Sequence, residues 1–257
     1  MDPRAALEPE DFAPHPPPGP TIPAPGEIHL WTIPLDPPTG RVAALRLQLT
    51  PDETARADRF HFDHHRRRFT VGRGALRELL AAYLDAAPEE VHFVYGEKGK
   101  PSLDGPAAAG DDLRFNLSNS HELALVAVGV GHELGVDVER LRPIPDGEQI
   151  AERFFSPGER MDLAGLPPTR RDEGFFNGWT RKEAYLKAMG DGLTVALDRF
   201  DVTLTPGRPA RFRTLDGSAE AASRWSLFDL HPAPGYVGAL AVPDPGPWRL
   251  QGWQWQP

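Results

Sequence analysis

ELGVDVE, residues 133–139, and DEGFFNGWTRKEAYLKAMGDGL, residues 172–193, decide how this chain is read. In the first, Val136 and Val138 point to one side of an extended strand and Asp137 and Glu139 to the other, because side chains alternate along a strand. Two carboxylates on one strand face repel unless they are solvated or share a cation. Mg²⁺ suits such a pair, taking one or two carboxylates together with phosphate oxygens and water. A strand with one wet face would explain the same residues. The second stretch has helical spacing over Asp172–Met189, with Gly190 and Gly192 as the stop. Phe175, Phe176, Trp179 and Leu186 face inward. Glu183 and Lys187 stand one turn apart beside that stripe, at the rim of the core, although an ordinary surface Glu–Lys pair has this spacing too.

Working outward, Glu27–Leu35 reads as a strand. Two helices follow, one begun by Thr50-Pro51-Asp52-Glu53 and one running from Asp63 to about Leu84. Short strands are expected at Val91–Tyr95, Leu113–Leu117 and Leu123–Val130. Beyond the junction strand comes a helix from Asp146 to Phe155. Another is opened by Ser156 and Glu159 in a capping box. Strands are expected at Phe200–Leu204, Ala210–Leu215, Trp225–Leu230, Tyr236–Val242 and Leu250–Trp255. Each half therefore runs strand, helices, strands. The expected fold class is α+β, with two similar lobes, 27–134 and 135–257, and the active site in the cleft between them. Residues 1–26 hold nine of the 29 prolines and are expected to be a disordered or loosely attached arm.

The 257 residues carry a net charge of −9, without the basic field that nucleic-acid binding requires. Any polyanion must be held by a local basic cluster, which favours a small phosphorylated ligand. No apolar run approaches a membrane span, and the first residues lack the order of a secretory signal. Cysteine is absent, which excludes disulfides and thiolate chemistry. A cytoplasmic protein is expected, without membrane or nucleic-acid partners.

GVDVERLRP, RFFSPGE and WTRKEAYLKAMGDGL, in this order and spacing, resemble the signature of Sfp-type 4′-phosphopantetheinyl transferases; GKPSL and FNLSNS resemble two further motifs of that family. The resemblance runs from about Thr50 to Leu204. It implies a pseudo-two-fold pair of α+β lobes enclosing coenzyme A and Mg²⁺ (Mn²⁺ could serve instead), and a monomer. The implied reaction moves the 4′-phosphopantetheine of coenzyme A to a serine of an apo acyl or peptidyl carrier protein, as in fatty-acid, polyketide or non-ribosomal peptide biosynthesis, releasing adenosine 3′,5′-bisphosphate. Carried over by position, Asp137, Glu139 and Glu183 are the metal ligands, and Lys187 lies beside the pyrophosphate. Arg68, Lys100, Ser118 and Asn119 fall at coenzyme A positions, with Arg56 a weaker candidate. Asn119 departs from the family, which commonly has histidine there. His121, expected on the same strand face, could take part of its role. Glu183 is the candidate base, directly or through water, and Glu159 a rival that its capping box already explains. His61, His64 and His65 read as helix-junction packing and capping, and Trp253 and Trp255 as strand packing. Two other readings stay open: an inert coenzyme A or carrier binder, and a Mg²⁺-dependent nucleotide hydrolase.

Overall fold

The computed structural model describes residues 6–14, 19–104, 112–190 and 196–257. The first half contains β1 (Ala13–Pro14), β2 (Glu27–Pro34), α1 (Thr39–Leu47), α2 (Pro51–Asp58), α3 (Asp63–Leu84), β3 (His92–Tyr95), β4 (Pro101–Asp104), β5 (Leu113–Ser120) and β6 (Leu123–Val130). The second holds β7 (Gly135–Arg140), α4 (Gly147–Phe154), α5 (Pro157–Ala164) and α6 (Pro168–Met189). It continues through β8 (Phe200–Val202), β9 (Phe212–Leu215), α7 (Ala219–Ala222), β10 (Ser226–Leu230), β11 (Tyr236–Val242) and β12 (Arg249–Gln254). No helix among the described residues is long and apolar enough to cross a membrane.

The α+β expectation is met, and the two halves repeat one topology. In the first, β6 lies between β2 and β5; in the second, β11 lies between β7 and β10. Each half therefore opens with a strand, makes its helices, and returns an antiparallel hairpin whose last strand pairs with the first. The repetition is not perfect. β12, the final strand, leaves the second half and joins the first sheet in parallel beside β2.

Both sheets are buried on two faces, which gives four layers. Trp31, Ile33, Val126 and Val128 pack against Val71, Leu76 and Leu80 of α3. Their alternating neighbours Ile28, Leu30, Leu125 and Ala127 meet Val136, Val138, Leu240 and Val242 of the second sheet. Beyond that sheet, Ala239 and Ala241 pack under Ala184 and Leu186 of α6. This explains why LALVAVGV of β6 is apolar throughout: neither face reaches water.

The described part of the proline-rich segment corrects the expectation of a loose arm. Leu7 and Phe12 are buried in the core between the sheets, Leu7 bridges Leu230, and β1 pairs with β12. Prolines restrict the backbone without preventing two apolar side chains from filling a gap that the sheets leave open. Helix α1 had no counterpart in the sequence reading, because only Leu45 on it is buried and so little apolar periodicity marks it. Helix α6 begins at Pro168, four residues before the expected start, with proline in its first turn. Its expected stop at Gly192 lies outside the described residues. Gly190 ends it in the left-handed conformation, φ 74°.

Candidate active site

Strands β5 and β7 are each the edge of a sheet, and they meet through side chains instead of a backbone ladder. Alternate residues of β5 point at β7. Asn116 Oδ1 accepts the Val136 N–H at 2.9 Å, and the Ser118 hydroxyl donates to Asp137 Oδ1 at 2.7 Å. Ser120 donates to Glu139 Oε2 at 2.6 Å and accepts the Arg140 N–H at 3.2 Å. The N-x-S-x-S alternation in FNLSNS is thus a stitch between the two sheets. Sequence reading singled out Ser118 but missed Asn116 and Ser120, whose signal was their period of two.

Helix α6 reaches this seam because Gly135 lets it. A Cβ at that position would stand 2.1 Å from the Ala184 carbonyl oxygen and 2.2 Å from the Ala188 nitrogen, so only glycine permits this approach. Lys187 then donates to Asp137 Oδ1 at 2.7 Å and to Ser118 Oγ at 2.8 Å. The surface-pair alternative fails, since the lysine crosses to the strand.

Asp137 is 5 % exposed, which rules out the wet-face alternative for this strand. Its Oδ2 is buried and, among the described residues, has no hydrogen-bond partner. A buried carboxylate oxygen left unpaired is costly. The Glu183 carboxyl is pushed above its ordinary range, by burial first and then by the charge on Asp137, with Lys187 opposing and Glu139 adding to it. Glu139 is likewise raised by burial, against which the Ser120 hydrogen bond works, while Asp137 raises it further. Glu183 thus feels the charges of Asp137 and Glu139, and Glu139 feels that of Asp137. Among the described residues, however, no group of three acids or histidines is arranged to hold a metal ion. Asp137 Oδ1 faces Lys187 and Ser118, and Glu139 Oε2 faces Ser120.

Two cavities flank Leu117. One, of about 240 Å³, is lined by Lys98, Lys100, Asn116, Glu183 and Lys187. Lys100 is anchored there, donating to Glu133 Oε2 at 2.6 Å and to the carbonyls of Leu134 and Ala188; it ties the β3–β4 hairpin to the end of α6. The other cavity, of about 560 Å³, is lined on its basic side by Arg56, His64, His65, Arg68, Arg73 and His121, and also by Asn119. Arg68 is held by two carboxylates, Asp36 at 2.8 Å and Glu122 at 3.0 Å.

Two expectations change in part, and the structural reading of Glu159 holds. His121 sits in the β5–β6 turn at φ 52°, not on the strand face of Asn119, yet both line the second cavity. His61, His64 and His65 are exposed and pack against the rings of Phe60 and Phe62 at the junction of α2 and α3, as expected, but no side chain caps α3. Glu159 drops out as a base. It is fully buried, bound to Lys182 at 2.8 Å and to the amides of Ser156 and Val202, far too committed to accept another proton donor.

An α+β pair of half-repeats with one buried and two half-buried acids and a lysine at their seam, and cationic side chains lining the cavities on either side, is an arrangement suited to phosphate-group chemistry. Comparison with known proteins makes this specific. The profile described as "4'-phosphopantetheinyl transferase, N-terminal" matches residues 36–130, and that of the "4'-phosphopantetheinyl transferase superfamily" matches residues 133–241. The chain is 46 % identical over 229 residues to the 4′-phosphopantetheinyl transferase HetI of Nostoc sp. (strain PCC 7120), covering 89 % of this chain and 92 % of that protein. A putative 4′-phosphopantetheinyl transferase of Synechocystis sp. is 34 % identical over 77 % of each chain. Sfp of Bacillus subtilis (strain 168) is 29 % identical, over 61 % of this chain and 66 % of its own length. The chain belongs to the 4′-phosphopantetheinyl transferase family, in its Sfp-type branch.

Proposed function

We propose that the seam between β5, β7 and α6 transfers the 4′-phosphopantetheine of coenzyme A to a serine of an apo acyl or peptidyl carrier protein. The observation that carries this reading is the buried, unpartnered Asp137 Oδ2 beside two carboxyls whose pKa values are raised by burial and by the charge of Asp137. Such a group is short of a cation, and a diphosphate needs one. Asp137, Glu139 and Glu183 would hold Mg²⁺, or Mn²⁺, which supplies neutralisation of the diphosphate and of charge that develops during transfer.

The remaining work falls to the chain itself. Lys187 presents an ammonium at the seam, placed to meet a phosphate oxygen and to stabilise the leaving group. Lys100 holds the helix end that carries Lys187, and lines the same cavity. Ser118 fixes Asp137, and Asn119 faces the nucleotide side, where its amide can donate but not carry charge. The carrier serine Oγ bonds to the phosphorus as the bond to adenosine 3′,5′-bisphosphate breaks. Glu183, at the rim of the same cavity as Lys100, takes the serine proton through a carboxylate oxygen. We place the lobe boundary between residues 134 and 135, close to where the two family matches abut. Because one chain supplies both halves of the site, we expect a monomer, acting in the cytoplasm.

Incubating the protein with Mg²⁺, coenzyme A and a panel of apo-carriers, then weighing each carrier intact, tests the reading. A gain of one phosphopantetheine is expected. An unchanged carrier with phosphopantetheine released to water would identify a hydrolase instead, and an unchanged carrier beside bound coenzyme A an inert binder. In Lys187→Ala, kcat should fall by roughly 100-fold with little change in KM for the carrier, because the ammonium acts on transition-state charge. A variant that raised the carrier KM alone would place Lys187 in docking.

A further inference from the structure

The cavity on the far side of Leu117 contains a cation that the sequence-level assignment did not single out. Arg73 is 8 % exposed and lines the cavity beside Arg56, His65 and Asn119. Its nearest carboxylate is Glu53, 3.5 Å from Nε, and Glu53 is already bonded to Arg77 at 2.8 Å. Arg77 has three hydrogen bonds, to Glu53 and to the carbonyls of Pro88 and Val91. Arg73 has no hydrogen bond among the described residues, and its Nη1 is buried without a partner. One carboxylate thus serves two buried guanidiniums, leaving a surplus of positive charge beside the cavity. The Phe93 ring under Arg73, 5.0 Å from the guanidinium carbon to the ring centroid, is the other stabilising contact. Burial lowers the pKa of Arg73, with Tyr95 and Glu53 only partly opposing it. Arg68, at the same cavity, lacks this deficit because Asp36 and Glu122 both hold it.

A buried cation with only a shared counter-charge is poorly compensated unless an anion completes it. We propose that Arg73, rather than Arg68, is the specificity-determining residue that grips a phosphomonoester dianion in this cavity, making the protein select a 3′-phosphorylated nucleotide end over one lacking that phosphate. The proposal rests on the reading of coenzyme A as donor, whose 3′-phosphate is the group in question. Arg56 and His65 then form the rim, and the Arg73 fork supplies the deep contact. A guanidinium–phosphate contact desolvated in this way gives a large discrimination, because the competing ligand leaves the cation unpaired.

Calorimetric titration with adenosine 3′,5′-bisphosphate and with adenosine 5′-monophosphate tests the residue without any transfer reaction. The wild-type chain should prefer the bisphosphate by at least about 10-fold, and Arg73→Met should reduce that preference to within about 2-fold while leaving the monophosphate affinity unchanged. The ratio of kcat/KM for coenzyme A and 3′-dephospho-coenzyme A should collapse in parallel. Arg68→Met should keep the preference. An intact preference in Arg73→Met, or equal loss of both nucleotides, overturns the proposal. If Arg73→Met does not fold, Arg73→Lys carries the test: it keeps a charge but loses the fork, and a fully retained preference in a folded lysine variant overturns the proposal too. The intact-mass assay reports separately on the donor reading. A wild-type chain that transfers phosphopantetheine yet shows no bisphosphate preference refutes this proposal alone, whereas absence of transfer refutes the parent reading.

Discussion

Glu183→Gln is expected to lose transfer almost completely, by about 1,000-fold or more in kcat, with the fold intact. Glutamine preserves the shape of the side chain and removes its charge. Two proposed roles go with that charge, ligation of a divalent cation and acceptance of the serine proton. Stability should move the other way. The wild-type carboxyl has its pKa raised by burial and by Asp137, so the folded chain binds that proton more tightly than the unfolded chain does. Its ionised form therefore destabilises the fold as pH rises through the ordinary glutamate range. The glutamine variant should melt at the same temperature as wild type near pH 4 and higher at pH 7. Mg²⁺ should raise the wild-type melting temperature, by mass action on a folded-state site, and leave the variant unmoved. Normal turnover in Glu183→Gln, or equal Mg²⁺ stabilisation of both proteins, would remove the residue from the site.

Gly135→Ala should be the most destructive conservative change in the second half. The added methyl would meet backbone atoms of α6 at 2.1 and 2.2 Å, and backbone, unlike the tip of a long side chain, cannot swing aside. Helix α6 must move off β7 or the strand must shift. We expect a loss of about 3 kcal/mol or more, a fall in melting temperature of roughly 10 °C, and transfer reduced by at least about 100-fold because Lys187 and Glu183 leave Asp137. Gly40→Ala is the control. Nothing lies within 4 Å of a Cβ there and the residue is helical, so alanine should be neutral or slightly stabilising. A Gly135→Ala protein as stable and active as wild type would contradict the close approach of helix to strand.

The chain's own order of residues determined much of this. Period-two alternation placed Val136 and Val138 inward and Asp137 and Glu139 together, because a strand has no other choice. Helical spacing put Glu183 and Lys187 on one rim. The capping box at Ser156 and Glu159 was legible because it is a contact over three residues, and the motif order pointed to the family.

Tertiary structure decided what depends on residues distant in sequence. That Lys187 pairs with Asp137, 50 positions away, and not with Glu183 one turn away, follows from how closely Gly135 admits α6. Whether Asn116, Ser118 and Ser120 faced water or another strand depended on two sheet edges meeting. The proline-rich segment read as loose since its two apolar anchors, Leu7 and Phe12, gain value only from a gap between sheets built elsewhere in the chain. Arg73 was one arginine among several on a basic helix until burial and a shared Glu53 left its charge only partly compensated. Local pattern fixes which face a side chain takes; solvation and charge balance at that face are properties of the assembled fold.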